Sequence, residues 1–164
     1  MENVFKNILW FIVLCAAQIF VFNHIHLFHY ATPLMYIYFI MRFPLTSSRC
    51  GLLMWSFCLG LIIDIFANTP GVATASLTIV GFVQPYIIQL FLPKDDFAPL
   101  QPSISVFGFG VFLKYASTIV LLFTLLFFSF EAFNLFNFQD WILRVVASAA
   151  ITVLFIVVLE SLKK

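Results

Sequence analysis

Five apolar stretches, each near the length needed to cross a bilayer, constrain this chain more than any other feature. A hydrocarbon core about 30 Å thick requires about 20 apolar residues per helix, and such runs occur at about 5–22, 50–66, 71–92, 105–129 and 141–161. The sequence between them cannot make a water-facing shell. Of its 164 residues 63% are hydrophobic and 9% charged, against about 25% charged in soluble domains. A soluble fold is therefore excluded, and much of the apolar surface must face lipid. The length allows one transmembrane domain, residues 1–164, with no separate soluble domain.

The segment at 27–41 is shorter, opens on polar and aromatic residues and contains Pro33. Charge decides whether it spans. If it does, Lys6, Arg42, Arg49, Lys94, Lys163 and Lys164 share one side and Arg144 alone lies near the other. The positive-inside rule makes the crowded side the cytoplasm. If it does not, that asymmetry largely disappears. The expected fold is thus an all-α integral membrane bundle of six helices with both ends inside. Its outer connections, 23–29, 67–70 and 130–139, are too short for an external domain.

Several functional classes are disfavoured by what the sequence contains. A net charge of +1, with basic residues scattered singly, carries no footprint for nucleic acid. Cys15, Cys50 and Cys58 have no metal-like spacing and read as buried free thiols. The first apolar run is followed by no small-residue cleavage site, so its helix is expected to be retained. His24, His26 and His29 do not match a zinc motif and have no acidic or cysteine ligand nearby, so no metal is assigned. There is no GxSxG, HExxH or pair of intramembrane carboxylates at helical spacing. Gly108 and Gly110 lack the strand and helix context of a nucleotide loop. No catalytic residue and no cofactor follow from these patterns, and a non-enzymatic role is expected.

Polar residues inside apolar helices are the informative exceptions. Lys114 falls about nine residues into the run at 105–129, near mid-membrane, where a lysine costs about 2.5–3.5 kcal/mol on the insertion scale. Either it pairs within the bundle or with a partner, or it snorkels to the cytoplasmic headgroups. Asp64 ends the third helix and is followed by Asn68, Thr69, Pro70 and Gly71. Proline and glycine impose a tight turn there, which brings the carboxylate to the exposed N–H groups that open the next helix. Pairing with Lys114 or with another protein is the alternative. Gln18, Gln84 and Gln89 offer interhelical hydrogen bonds. Gly71 with Ala73 to Ser76, and Ala147 to Ala150, offer small-residue seams where helix backbones can approach.

The order of these features resembles the rod shape-determining protein MreD family over nearly the whole chain. It comprises an apolar first helix with Gln18, a short second segment with Pro33, and an inner loop with Arg42 and Arg49. Gly60-Leu61-Ile62-Ile63-Asp64 then runs through Asn68-Thr69-Pro70-Gly71 into a small-residue helix reaching Gly81. The stretch from Gly60 to Gly81 is the most specific part. It departs from the family in one respect, having Pro70-Gly71 where Pro-Leu-Gly is frequent. The resemblance implies a membrane scaffold of the cell-elongation machinery in the inner membrane. Its implied partners are membrane lipid, an MreC-like bitopic protein and, indirectly, an MreB-like actin and the wall polymerase and transpeptidase. It also implies the six-helix fold of the substrate-binding subunits of energy-coupling-factor vitamin transporters. Such a subunit is the alternative function, with Trp55, Asp64, Gln84 and the histidines as candidate contacts.

Overall fold

The computed structural model describes residues 16, 34–43, 48–91, 102–132 and 138–162. Among them helix is the one regular secondary structure, and there is no strand. Its elements are α1 (Ile37–Met41), α2 (Arg49–Ala67), α3 (Val72–Phe91), α4 (Ile104–Phe107), α5 (Phe109–Glu131) and α6 (Phe138–Ser161). Four stretches, Arg49–Ala67, Val72–Phe91, Phe109–Glu131 and Gln139–Ser161, are long and apolar enough to cross a membrane. The chain is accordingly a helical membrane protein. The expected first helix at 5–22 and the part of the second segment before Leu34 lie outside the described residues.

Local chemistry sets the boundaries. α2 starts where the Ser48 side chain accepts from the Gly51 N–H at 3.2 Å, filling one of the acceptor vacancies at a helix start. It stops at Asn68, whose left-handed backbone (φ 55°) returns its N–H to the Asp64 carbonyl. Gly71, at φ 83°, completes the turn into α3 in a conformation that favours glycine. The run expected as one helix at 105–129 is broken instead. Gly108 adopts φ 74°, ψ 156° and separates the four-residue α4 from α5, because that backbone region is open essentially to glycine alone.

α2 and α3 form an antiparallel hairpin, α3 packs on α5, and α5 packs on α6. The segment 34–43 is buried in the middle and touches both α3 and α5. Only five of its residues are helical, yet its backbone is anchored. The Leu34 N–H bonds Thr152 Oγ1 of α6 at 3.1 Å, and the Met41 carbonyl accepts from the Tyr115 hydroxyl of α5 at 3.0 Å. Irregular backbone at membrane depth is tolerated where protein groups supply such partners.

The interior packs large apolar side chains such as Tyr36, Leu77, Phe112 and Phe123 together with small and polar ones, and the outside is also apolar. Ser56, Ser76, Gln84, Thr124, Ser148 and Thr152 are buried, whereas Met54, Phe57, Ile65, Phe82, Leu90 and Leu154 are exposed. Buried serine and threonine hydroxyls bond along their own helices: Ser56 donates to the Leu52 carbonyl and Thr152 to that of Ser148, both at 2.7 Å. An apolar outside suits a lipid solvent, and the buried small and polar residues allow close backbone contact and hydrogen bonding between helices.

The two ends of the bundle differ. Arg49 at the start of α2 meets Tyr86 near the end of α3, its Nη1 3.1 Å from the hydroxyl and its guanidinium 5.3 Å from the ring centroid. Arg42 lies at this same arginine end, as do the start of α5 and the end of α6. The opposite, aspartate end carries Asp64, Pro70, Gly71 and Glu131.

Candidate functional site

The polar centre of the aspartate end is the Asp64 carboxylate, which is 7% exposed. α3 opens on Gly71, which has no side chain to cap its free N–H groups. Asp64 supplies the cap from the neighbouring helix. Its Oδ1 accepts from the Ala73 N–H and the Thr69 hydroxyl, both at 2.9 Å, and its Oδ2 from the Thr74 N–H at 2.8 Å and the Thr74 hydroxyl at 2.6 Å. An anion placed at the first-turn amides also complements the positive end of the helix dipole.

Gly60 lies one turn before Asp64 on the same face. A methyl group there would overlap the Cα of Thr74, so the two backbones touch just below the cap. A second close approach lies further along the hairpin, where a methyl at Gly81 would overlap the Ser56 hydroxyl. Ala73 and Ser76 are fully buried in this seam. Gly71 is not part of the seam, since the space beside it is open. Pro70 and Gly71 serve the turn.

The arginine end holds a second cluster. The Tyr38 hydroxyl donates to Glu160 Oε2 of α6, and the carboxyl-bearing residue is 6% exposed. Arg42 Nη1 stands 3.4 Å from the same hydroxyl, while its buried Nε has no partner among the described residues. Deeper in the bundle, Gln84 Nε2 lies 3.4 Å from the Tyr115 hydroxyl, which donates to Met41. α1, α3 and α5 are thereby joined at one point. The hydroxyl of Tyr36 is buried with no hydrogen-bond partner among the described residues; its ring packs edge-on against Phe123 at 5.4 Å between centroids.

The remaining candidates disperse. Lys114 is only the sixth residue of α5, because the break at Gly108 starts the span at Phe109 instead of Ser105. It is exposed on the outward face near the arginine end. Asp64 lies toward the other end, on the order of 20 Å away along the bundle at 1.5 Å per residue, with four donors of its own. The two do not pair. Gln84 is ten residues beyond Thr74, about 15 Å along α3, and Trp55 packs at a tilt against Phe39, 5.8 Å between centroids. Asp64, Gln84 and Trp55 thus line no common pocket. Gln89 is exposed, and Gln18, Pro33, Lys94, Cys15 and the three histidines lie outside the described residues.

Cys50 and Cys58, expected to be buried, are exposed. In a lipid-facing helix both faces are apolar, so hydropathy does not tell which one a thiol occupies. Reading the sequence also missed Tyr38, Glu160, Tyr86 and Tyr115, and it placed Thr74 in a packing seam without its bonds to Asp64. Glu160, an acid one residue before the end of an apolar helix, was the signal available for the arginine-end cluster. Tyrosine pairings carry no periodic mark. Among the described residues no group of three or more His, Cys, Asp or Glu stands ready to hold a metal ion.

Two grooves lined by described residues open on the outside of the bundle. One, of about 820 Å³, runs between α2 and α3 below the Asp64 turn, past Phe57, Leu61, Ile65, Ala75, Thr78 and Ile79. The other, of about 430 Å³, lies between α3 and α5. No protein-family model, no curated protein and no solved structure matches this chain.

Proposed function

We propose that the chain is a non-enzymatic membrane scaffold of the cell-elongation complex. In this reading it is a six-helix bundle in the inner membrane, with both ends in the cytoplasm. It organises lateral peptidoglycan synthesis together with an MreC-like bitopic protein and, through it, an MreB-like actin. The observation that carries the reading is how the Gly60–Gly81 stretch, the most specific part of the resemblance to the MreD family, is used. Asp64 bonds Ala73 and Thr74, Gly60 packs on Thr74, and Gly81 packs on Ser56 of the same hairpin. They build a closely packed hairpin whose outward side is an apolar groove. A partner helix meets such a surface by packing, without chemistry.

The alternative, a substrate-binding subunit of a vitamin transporter, needs polar groups converging on an enclosed ligand. Asp64, Gln84 and Trp55 face three different neighbours instead. Depletion of the protein in its host, with affinity purification from the same cells, tests the proposal. Rounded or widened cells with disordered lateral wall synthesis, together with a co-purifying one-helix protein bearing an external coiled coil, are the expected results. Normal cell shape with a vitamin requirement and a co-purifying ATPase would overturn it in favour of the transporter subunit.

A further inference from the structure

The groove between α3 and α5 begins about one helical turn from Lys114. Its walls include Val83 and Ile87 of α3 and Ser117, Thr118, Leu121 and Leu125 of α5. Ser117 and Thr118 are exposed, and their hydroxyls donate to the Lys114 carbonyl at 3.0 and 2.8 Å. Polarity is therefore concentrated at the Lys114 end, and beyond Thr118 the walls are aliphatic. Side chains on a helix lean toward its N-terminus, which for Lys114 is the arginine end. Among the described residues no carboxylate accepts its ammonium. A cation without an acid at the head of an apolar groove is half of an amphiphile's binding site.

We propose that this groove binds an anionic phospholipid from the leaflet at the arginine end, with an acyl chain along the groove and the phosphate against Lys114. The dimensions fit one leaflet. From Lys114 to Leu125 the helix advances about 16 Å, and half of the hydrocarbon core is about 15 Å. The lining also distinguishes a lipid from a partner helix. Helices approach closely in membranes over Gly, Ala and Ser, whereas Leu121 and Leu125 project here and Leu121 is 53% exposed. A flexible chain conforms to such a surface more readily than a helix, whereas the α2–α3 groove offers a helix the small residues Gly71, Thr74, Ala75 and Thr78. The site concerns lipid, so it stands apart from the partner-binding role proposed above.

The test uses the full-length protein in nanodiscs of phosphatidylcholine doped with phosphatidylglycerol, with bound lipid counted by native mass spectrometry. Wild type should retain phosphatidylglycerol over phosphatidylcholine. Lys114→Gln should lower that preference about fivefold, the effect of one basic residue near an anionic headgroup, and Lys114→Arg should keep it. Leu121→Trp, which fills the groove with Lys114 intact, should also abolish retention, while Leu154→Trp on the exposed face of α6 should not. Each variant is first checked for wild-type helicity and a single elution peak. Equal retention of both lipids by wild type, or undiminished preference in both Lys114→Gln and Leu121→Trp, would overturn the site. So would cross-linking in native membranes that captures an acidic protein helix at Lys114 in place of lipid.

Discussion

Removing the Asp64 carboxylate should destabilise the protein by about 3 kcal/mol without any involvement of Lys114. Asp64→Ala leaves the Ala73 and Thr74 N–H groups, now accepted at 2.9 and 2.8 Å, with no acceptor. Each buried donor left unmade costs about 1–3 kcal/mol. The Thr69 and Thr74 hydroxyls rotate to other acceptors and add little, so the total falls at about 2–6 kcal/mol, with about 3 kcal/mol expected after relaxation. Asp64→Asn keeps one oxygen for the Ala73 side and sets an amide N–H₂ against the Thr74 N–H, so it should lie between Asp64→Ala and wild type. Reversible unfolding in mixed micelles, followed by circular dichroism, measures all three. A cycle with Lys114→Ala adds the second half of the test. The groups are far apart and share no partner, so their effects should add within about 0.5 kcal/mol. An Asp64→Ala protein within about 0.5 kcal/mol of wild type, or a coupling well above that figure, would refute the cap and restore an Asp64–Lys114 pair.

The hairpin seam gives a further expectation: Gly60→Ala should cost about 1–3 kcal/mol through overlap with the Thr74 backbone. Gly81→Ala should cost less, and Ser56→Ala should recover part of it, because its overlap is chiefly with the Ser56 hydroxyl; the same unfolding assay reads both. Tyr36→Phe should leave stability unchanged or raise it, since its buried hydroxyl has no partner among the described residues, whereas Tyr38→Phe deprives buried Glu160 of its donor and should cost about 1–3 kcal/mol. Equal effects of the two tyrosine variants would argue against the arginine-end cluster. Gly108→Ala, at φ 74°, should cost about 1–3 kcal/mol and increase proteolysis at the α4–α5 junction.

Chain chemistry by itself determined that this is a helical membrane protein and located, to within a few residues, the four spans that the described residues contain. The reason is that a bilayer imposes one length and one polarity on each crossing, and both are local properties of a run of residues. The Asp64 cap was legible for a similar reason: an acid, a Pro-Gly turn and a new helix follow one another within a few positions, so sequence neighbours become contact neighbours. The break at Gly108 was not legible. FGFG reads as apolar helix, and only its backbone conformation ends α4 there. What depended on distant partners was settled by the tertiary structure alone. Tyr38 meets Glu160 across 122 positions and Leu34 meets Thr152 across 118, and nothing near either residue announces the other. The same applies to Lys114 and the exposed cysteines. A span that is apolar on every side does not declare which face looks inward until its neighbours are in place, because lipid and protein interior reward the same side chains.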